Sequence, residues 1–508
     1  MLITSLIGSL AHAQGAFSLH RVLPGTLGDN LQFTYDGVTQ PFLVLGLSFA
    51  PGTIPLPPEI GNRPLELGPD PILLVEWLAS AQGTTAPIAV PNASNLAGAV
   101  LQWQAVTLPG ASQFLDSISN RVVTQLATAR VPTVLPTTGH GFAWAATVRW
   151  PVANRPDRWI FAGGGDRTSI STVPQASSEV LDPDTLAVAP GPILPVAVYS
   201  MTATELADGS TILTGGVVQQ VNPVVDMPTN AVTRFDPVIG QFTALPPMAT
   251  PRVLHSAALL PDGRLVVAGG MANLDFLAPA ALASVEVFDP VTQVWSPGPA
   301  LPQARVWGAL TALSTGDLLL HGGLQWNGVS SMANQCLRLI AGIGGVLSWV
   351  PAAPMQNTRV AHDDTTMLLA DGRVLVAGGA SGIVLLGIPL LQATNHAEVY
   401  DPMANTWTNV GVVPHASFGG SVHQLPDGTV VLAGGLAGML APTPVSGNPS
   451  PYVSYWDPLS NVWGSGPVMQ QARFLHCGAV TEDGILVLWG GHVVAGSGAG
   501  NLLVETVR

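Results

Sequence analysis

The fold is decided by a short stretch that occurs twice, "RLVVAGG" at residues 264–270 and its near copy "RVLVAGG" at residues 373–379. Each is an apolar run that ends in a Gly-Gly pair. The same signature ends at seven positions in the chain, namely Gly164, Gly216, Gly270, Gly323, Gly379, Gly435 and Gly491. The steps between them are 52, 54, 53, 56, 56 and 56 residues. Such an even period predicts a repeat architecture, in which each unit buries its faces against its neighbours.

Each repeat carries the pattern of four strands. An Asp-Gly turn flanked by apolar runs, as in "PDGR" from Pro261, precedes the Gly-Gly pair and predicts a hairpin. A second hairpin follows a variable loop, as in "VEVFDPVTQVW" ending at Trp295 and "AEVYDPMANTW" ending at Trp407. Its Asp-Pro begins a turn, and its Trp returns on the partner strand to cover a sheet face. Four strands repeated seven times predict a seven-bladed β-propeller over residues 131–508, with Gly-Gly where a Cβ would clash.

In order along the chain, the Gly-Gly pair, the Asp-Gly turn, "EVYDP", the spaced Trp and a run such as "PPMATPR" from Pro246 resemble the kelch-repeat family. This family belongs to the galactose-oxidase-like/kelch superfamily, and the resemblance covers the predicted propeller. It implies an all-β, kelch-type propeller and leaves the function open, since such propellers serve as enzymes, carbohydrate binders and protein-interaction scaffolds.

Two repeats depart from the pattern. The first, with "EVLDPDTL", lacks the Trp, and the last, ending in "NLLVETVR", lacks an Asp-Pro turn and a fourth strand. We expect a segment near Ala127 to Thr137 to supply the missing strand and close the ring.

Residues 14–130 contain no Gly-Gly pair but show strand-like runs such as "PFLVLGLSFA" and "AVLQWQAVTL" between Pro- and Gly-rich turns. They predict a small β-sandwich preceding the propeller. Through "AGAVLQWQAVTL" and "SISNRVV", this part resembles β-rich domains of exported planctomycete-type proteins.

The start of the chain predicts export. Residues 1–13 have an apolar stretch followed by Ala11-His12-Ala13, which suits a signal peptide cleaved before Gln14, although a basic n-region is missing. The alternative is an ordinary buried strand. The expected location is secreted, periplasmic or on the cell surface.

The composition excludes several functions. There are 17 basic and 31 acidic residues, a net charge of −14, and no lysine, so a nucleic-acid partner is not expected and Schiff-base or P-loop chemistry is excluded. Gly or Pro interrupts the apolar runs well before about 18 residues, so we predict no membrane-spanning helix. The two cysteines, Cys336 and Cys477, are expected to be free and buried.

Ligand-binding residues are expected where the repeats differ, in the segments that follow the Gly-Gly pairs. We call the end of the propeller that these segments form the long-loop face, and the end with the Asp-Gly and Asp-Pro turns the turn face. The polar and aromatic candidates on the long-loop face are Asp166, Arg167, Asp275, Phe276, Trp326, Asn327, Asn395 and His396. Ordinary loop surface is the alternative for each of them.

Arginines recur just before the first strand of a repeat, at Arg252, Arg305, Arg359 and Arg473, and three of them are followed by His255, His362 and His476. Facing the central channel, they would hold an anion or a metal. Facing their neighbours, they would tie the repeats together, which is the interpretation we favour.

The fifth repeat contains the best local cluster. Its "RVAHDDTTML" is two residues longer before the Asp-Gly turn than the third repeat, which predicts a bulge. Arg359, His362 and Asp363 therefore join the ligand-binding candidates, with Asp364 beside them.

The superfamily resemblance also implies a possible oxidase, with copper held by two tyrosines and two histidines and one tyrosine cross-linked to a cysteine. The chain has five tyrosines and no Tyr-His pair, so we predict no cofactor. The predicted function is therefore a non-catalytic binding module for a polysaccharide or a surface protein. The alternative is a galactose-oxidase-like or other metal-dependent enzyme on the same face, which would require imidazoles and carboxylates to converge on one point.

Overall fold

The computed structural model describes residues 143–492 apart from 153–156, 167–172, 184–185, 222–223, 276–277, 327–329, 386–387, 441–447 and 482–483. It also describes the backbone of strands between residues 18 and 135 and at residues 504–507. The predicted signal peptide, residues 1–13, lies outside the described residues. The chain divides into two compact units, and the second begins at Pro132.

The first unit is built from antiparallel strands. One sheet has the order Val122–Gln125, Val100–Leu108, Phe42–Ser48 and Ile72–Trp77, with Ser117–Ile118 also paired to Val100–Leu108. The others are Ser18–Arg21 with Phe33–Asp36 and Gly83–Thr84, and Asn30–Leu31 with Ile88–Ala89. The β-sandwich predicted for residues 14–130 stays a prediction.

The described residues of the second unit form seven four-stranded antiparallel sheets. Sheet 1 is Ala146–Trp150, Arg158–Ala162, Ser178–Asp182 and Ala187–Pro190; sheet 2 is Thr202–Glu205, Thr211–Thr214, Val232–Asp236 and Gln241–Leu245. Sheet 3 is Ser256–Leu259, Leu265–Ala268, Val285–Asp289 and Val294–Pro297; sheet 4 is Ala309–Ala312, Leu318–His321, Cys336–Ala341 and Leu347–Ala352. Sheet 5 is Thr366–Leu368, Val374–Ala377, His396–Asp401 and Thr406–Val412; sheet 6 is Ser421–Gln424, Val430–Ala433, Tyr452–Asp457 and Val462–Val468. Sheet 7 is Cys477–Val480, Leu486–Trp489, Val504–Val507 and Thr133–Leu135.

The first strands of successive sheets contact one another from sheet 1 to sheet 7, and the first strand of sheet 7 contacts that of sheet 1. The second unit is therefore a closed ring of radial sheets around an axial channel, and the predicted all-β propeller is confirmed. The described residues contain no α-helix, only a 3₁₀ turn at Ile343–Gly345, and no helix able to cross a membrane.

Sheet 7 combines strands from both ends of the unit. Its outer strand, Thr133–Leu135, pairs with Val504–Val507, with Thr133 opposite Thr506. The prediction that the segment near Ala127 to Thr137 supplies the missing strand is confirmed. The last strand of the chain is thus the third of its sheet rather than the end of an incomplete repeat.

The Gly-Gly pairs join each sheet to the next. The N–H of the second glycine donates to a backbone carbonyl just before the next first strand, in the pairs Gly164–Val198, Gly216–Arg252, Gly270–Arg305, Gly323–Arg359, Gly379–Ser417 and Gly435–Arg473. These glycines have φ between 87° and 99°, in the left-handed region. A Cβ on Gly269 would lie 2.4 Å from the Arg305 carbonyl oxygen, and one on Gly270 would lie 2.6 Å from that of Val253. Only glycine fits this approach between neighbouring backbones.

A second ring of backbone bonds lies at the start of the first strands. Seven equivalent residues have φ between 47° and 62°, namely Trp144, Ser200, Leu254, Trp307, Ala361, Gly419 and Leu475. Several bond directly from sheet to sheet, as Ser200 N–H does to the Trp144 carbonyl at 2.9 Å and Ala361 N–H to that of Trp307 at 3.0 Å. Each turns the chain from the long-loop face into the channel wall.

The segments of the long-loop face form short sheets of their own. These are Gly165–Asp166 with Val173–Pro174, Val217–Val221 with Val224–Pro228, and Leu436–Ala437 with Asn448–Pro449. Two three-stranded sheets join them, Ala304–Val306 with Leu324–Trp326 and Ser330–Met332, and Ala380–Leu385 with Ile388–Ala393 and Met439–Leu440.

The repeated tryptophans link each sheet to the one before it. Their indole N–H groups donate to carbonyls at or just beyond the fourth strand of the preceding sheet, in the pairs Trp295–Pro246, Trp349–Pro299, Trp407–Ala353 and Trp463–Val410. The sequence predicted that each Trp covers a face of its own sheet. In addition, each Trp fixes the outer edges of two neighbouring sheets.

We expect Trp407→Phe to lower the free energy of unfolding by about 2 kcal/mol, because it removes a buried hydrogen bond and part of a packed ring. Trp407 is 7% exposed, and its Nε1 lies 3.0 Å from the Ala353 carbonyl oxygen. Urea unfolding measures the change. Met403→Ala in the same sheet, at a side chain 83% exposed, should change the stability by less than about 0.5 kcal/mol. Equal effects of the two substitutions would show that the Trp does not link the sheets.

Candidate functional site

The first strands enclose an axial channel with a volume of about 710 Å³. The first strands of all seven sheets line it, and Trp144 and Leu475 stand at its long-loop end. Its acidic and imidazole residues are Glu205, Asp363, Asp364, His255, His423 and His476. The channel is the place where a ligand on the axis would meet charged groups.

The two aspartates occupy the extra length of the fifth repeat. Thr365 N–H and Thr366 N–H donate to the carbonyls of His362 and Asp363, each at 3.2 Å, so the chain makes a tight turn before the first strand begins at Thr366. The insertion is thus a turn rather than the predicted bulge within paired strands. It places Asp363 and Asp364 in the channel, where both are exposed.

The surrounding ring raises the pKa of both carboxyl groups, because it removes them from bulk water, and for Asp364 the neighbouring Asp363 carboxylate adds repulsion. The exposure of both side chains to the channel limits the size of this effect. The pair is therefore inclined to retain a proton at a pH where an ordinary aspartate has lost it.

The arginine that precedes the first strand is a link within the scaffold. Arg359, with no exposed surface, donates to the carbonyls of Gly378 and His396 at 2.9 and 3.1 Å and to the Glu398 carboxylate at 2.7 Å. Arg252 makes the same set of contacts, with Glu286 as its carboxylate at 2.6 Å. The favoured interpretation of these arginines agrees with their burial, which leaves the Arg359 side chain no access to a ligand in the channel.

Sheets 2 and 6 change both partners together. At the equivalent positions, sheet 2 has Val198 with Thr233 and sheet 6 has Ser417 with Ser454, and in sheet 6 the Ser417 hydroxyl donates to the Gly434 carbonyl at 2.9 Å. In sheet 7, Glu505 pairs with Leu488. This is the register position at which Glu286 pairs with Val267 in sheet 3.

Sheets 1 and 4 each keep one partner. In sheet 1, the buried Glu179 stands at the position of the glutamate, while the sequence has Phe142 in place of the arginine. In sheet 4, Leu337 occupies the position of the glutamate while Arg305 remains. The Arg305 side chain is buried and donates to the carbonyls of Gly322 and Gln335, each at 2.9 Å. Burial lowers its pKa to about 10.

The three histidines of the Arg-x-x-His pattern are buried against the Gly-Gly pair of the preceding sheet. The Nε2 atoms of His255, His476 and His362 lie 2.9, 3.0 and 3.0 Å from Thr214 Oγ1, Ser421 Oγ and His321 Nδ1. A Cβ on Gly322 would lie 2.3 Å from His362 Cε1, so the imidazole fills the space that the glycine leaves. His321, which the sequence analysis did not single out, completes a buried histidine pair.

Burial is the main cause of low pKa values in this set. It lowers the pKa of His255 and of His321 to about 3, with smaller contributions from the neighbouring arginines. Burial also places the pKa of His362 and of His476 well below the usual value, helped by His321 and by Arg473 respectively. All four imidazoles are therefore neutral in the folded protein.

These residues do not fit the copper site that the superfamily resemblance implies. Each histidine of the pattern uses its Nε2 atom for a contact with a neighbouring sheet, and the preceding residues are Leu254, Ala361 and Leu475 rather than tyrosines. Among the described residues, no group of three or more His, Cys, Asp or Glu side chains is placed to hold a metal. Tyr199 and Tyr400 bond to Asp226 and Asn405, away from the axis, and Cys336 and Cys477 are free and buried as expected.

The candidates on the long-loop face are not brought to one point. Asp166 and Trp326 lie in separate short sheets, while Asp275 is exposed and accepts a bond from Ala278 N–H at 3.2 Å. Asn395 is half-buried and His396 is exposed beside an irregularity in sheet 5. Arg167, Phe276 and Asn327 lie outside the described residues. Their role as ligand-binding residues stays a prediction.

One feature of this face was missed by the sequence analysis. The hairpin of Val217–Val221 and Val224–Pro228 holds Asp226 between Gln219 Nε2 at 3.0 Å and Tyr199 Oη at 3.2 Å. The signal was present in "VVQQVNPVVDMP" from Val217, where Asn-Pro separates two apolar runs as a turn does.

We expect Arg359→Val to lower the free energy of unfolding by about 3–5 kcal/mol, because it leaves the buried Glu398 carboxylate without its cation. The double variant Arg359→Val/Glu398→Thr copies the natural pair of sheet 2 and should cost at least about 1 kcal/mol less than the single variant. Guanidinium unfolding of the wild type, both single variants and the double variant measures the coupling. A double variant less stable than Arg359→Val would contradict the interpretation that the arginine and the glutamate are replaced together because each compensates the charge of the other.

Stability should fall as the pH drops below about 6.5. The histidines are neutral in both states above that pH, whereas below it only the unfolded chain takes up protons, until the pH reaches the folded pKa near 3. Each of the four buried imidazoles contributes up to about 1.4 kcal/mol per pH unit in this window. The raised pKa of the aspartate pair acts oppositely, as its stabilising effect is complete below pH about 4 and is lost as the pH rises through the folded pKa.

Thermal unfolding from pH 7 to pH 4.5 measures this dependence. The histidines outnumber the aspartate pair, so the melting temperature should fall on acidification. His255→Gln should reduce by about one the number of protons taken up on unfolding, so the melting temperature should fall less steeply with pH. Asp364→Asn should make the fall steeper. A melting temperature that does not change across this range would contradict the assignment of neutral buried imidazoles.

Comparison with known proteins agrees with this architecture. The sequence model described as the Kelch motif matches residues 252–302 and 364–411, which contain most of sheets 3 and 5. These are the two sheets in which the described residues show the complete arginine–glutamate pair. The chain is 28% identical over 145 residues to alpha-scruin of Limulus polyphemus, covering 28% of this chain and 14% of that protein. It is 26% identical over 209 residues to kelch-like protein 34 of Homo sapiens, covering 41% of this chain and 29% of that protein.

Among solved structures, the chain is similar to a fungal alcohol oxidase of the AA5 family in complex with copper, with a TM-score of 0.55 and 15% identity. The match covers 74% of this chain and 76% of the oxidase, and at this identity it shows the fold alone. The chain spans between 14% and 29% of the length of the curated relatives that it matches. The repeated Gly-Gly links, the Arg-x-x-His pattern and these matches together support a kelch-repeat propeller.

Proposed function

We propose that the propeller is a non-catalytic binding module that recognises a partner protein through its long-loop face. The observation that carries this proposal is that the polar groups that recur among the repeats are used inside the scaffold. Arg252, Arg359 and His362 all bond to their own or neighbouring sheets, so they support the ring rather than a reaction.

The long-loop face supports a binding role because its sheets differ there. The segment after the Gly-Gly pair is a two-stranded hairpin in sheet 2, a compact loop in sheet 3 and part of a three-stranded sheet in sheet 5. A kelch propeller is compatible with a protein-binding role or an oxidase-like one. The histidines and tyrosines described above do not fit a copper site, which favours the protein-binding role. A polysaccharide ligand is a further outcome of the test described below. Export, inferred from residues 1–13, is part of the proposal.

The test uses the full chain and a matched pair of substitutions. Gln392→Arg places a new positive charge at an exposed position of the long-loop face, whereas Gln241→Arg places the same charge beside the Asp-Pro turn of sheet 2. Partners cross-linked on the surface of the source cells are identified, and their affinity for each variant is measured by biolayer interferometry. We expect Gln392→Arg to weaken the complex at least about tenfold, since buried interface positions tolerate an unpaired charge poorly, and Gln241→Arg to leave it unchanged.

Thermal-shift measurements with copper and with soluble polysaccharides distinguish the alternatives, because a ligand of the folded state raises the melting temperature. A shift with a polysaccharide that Gln392→Arg abolishes would assign a glycan ligand to this face instead. Copper binding with oxidation of an alcohol would overturn the non-catalytic proposal. Loss of the protein partner with Gln241→Arg alone would move the interface to the turn face.

A further inference from the structure

The hairpin that follows the Gly-Gly pair of sheet 2 has an open edge. Within the described part of the chain, Val224–Pro228 pairs only with Val217–Val221, and its other side has no partner strand. Three of its five side chains are exposed, Val224 by 65%, Val225 by 45% and Met227 by 41%. An edge strand of this kind offers unpaired peptide groups together with apolar side chains.

The hydrogen bonds around the hairpin show which peptide groups face the open edge. Val217 uses both its N–H and its carbonyl to bond Tyr199, at 2.8 and 3.1 Å, so these groups point away from Pro228. Antiparallel pairs alternate between bonded and non-bonded, which makes Val217–Pro228, Gln219–Asp226 and Val221–Val224 the non-bonded pairs. The bond from Thr229 N–H to the Gly216 carbonyl at 2.9 Å fits this alternation.

The N–H and carbonyl groups of Val224 and Asp226 therefore point to the open edge. Pro228 stands at a position where the hairpin needs no N–H group, as proline does on natural edge strands. Two donor–acceptor positions separated by one residue match the spacing at which an added antiparallel strand makes its bonds.

The charges of the two ends of the propeller differ. On the turn face, surface arginines are paired with aspartates, as in Arg264–Asp262, Arg234–Asp208 and Arg373–Asp371. The described residues between the Gly-Gly pairs and the third strands include Asp226 and Asp275 and no arginine. Asp226 is held by Gln219 and Tyr199, so its charge has a fixed position beside the open edge.

We propose that Val224–Pro228 binds an extended, basic segment of a partner protein by addition of a β-strand. Peptide groups of the edge supply the bonds, Val225 and Met227 supply apolar contacts, and the aspartates select positive side chains. Pairing with a second copy of the chain about its centre would set Asp226 opposite Asp226, which destabilises a sheet. This inference rests on the proposed binding role of the long-loop face.

The experiment uses fluorescein-labelled octapeptides and the full chain, read by fluorescence anisotropy at 50 and 200 mM salt. The probes are an alternating Val-Arg peptide, an alternating Val-Glu peptide, and the Val-Arg peptide with N-methyl groups at every second amide. We expect the Val-Arg peptide to bind, with weaker binding at the higher salt concentration, and the other two to bind at least about tenfold more weakly.

Two matched pairs of variants locate the site. Val224→Pro removes the outward N–H and keeps the hairpin bonds, whereas Val224→Thr keeps the N–H and alters the side chain alone. We expect about tenfold weaker binding for Val224→Pro than for Val224→Thr. Asp226→Asn should weaken binding and its salt dependence, while Asp427→Asn in a turn-face cap changes the net charge equally and should have no effect.

Equal binding of the Val-Arg peptide to all four variants would show unspecific attraction to an acidic protein and overturn the inference. Concentration-dependent dimers that Val224→Pro abolishes would assign the edge to a second copy. If a captured partner is lost with Gln392→Arg but binds normally to Val224→Pro, the edge-strand inference fails while the proposed function stands. If neither substitution affects any partner, both fail.

Discussion

The structure depends on the close approach of each Gly-Gly pair to the backbone that enters the next sheet. The N–H of the second glycine is directed to that backbone by a φ near 90°, and any side chain on either glycine would overlap a carbonyl oxygen. This contact sets the spacing between first strands and so the width of the axial channel. The tryptophan bonds fix the outer edges of sheets 2 to 6, so these sheets are held to their neighbours at both ends of their radius.

The buried polar groups follow from this contact. A glycine without a side chain leaves a space, and His255, His362 and His476 fill it from the next sheet. The carbonyl beside it needs a donor inside the ring, which an arginine supplies in sheets 3 to 5 and a serine in sheet 6. Where the arginine is present with a buried glutamate, the pair satisfies both charges; in sheets 2 and 6, where the arginine is absent, the third strand has lost the carboxylate as well. The recurring arginines and histidines are thus mostly consequences of the Gly-Gly contact. The acidic residues that line the channel are Glu205 and the Asp363–Asp364 turn.

The sequence predicted the repeat, its turns, its Gly-Gly contacts and the origin of the closing strand, because these depend on short, local patterns with a fixed period. It did not predict the left-handed residues at Leu254 and Trp307, since neither residue type favours that conformation and only the ring of backbone bonds imposes it. The last repeat departs from the sequence pattern for a different reason. Its third strand has the "VET" of Val504 to Thr506 where sheet 3 has "VEV", but the turn that identifies the motif elsewhere is missing, because the fourth strand comes from residues 133–135. The long-loop candidates share no repeat, so nothing in the sequence could say which of them lie together.

The two ends of the propeller have different physical constraints. Turns that join two strands recur at the turn face in every complete repeat. Their aspartates accept backbone N–H bonds or pair with arginines close in sequence, so the polar groups of that end are satisfied locally. At the long-loop face, each segment connects a Gly-Gly pair to the third strand of the same sheet. The ring fixes the two ends of this segment but does not restrict its length or sequence. That freedom permits the exposed edge at Val224–Pro228, because its unpaired peptide groups face water without disturbing any sheet-to-sheet contact. A binding surface on this face can therefore differ among kelch propellers while the scaffold stays the same, whereas a binding surface built from the buried arginines and histidines would have to disrupt the ring.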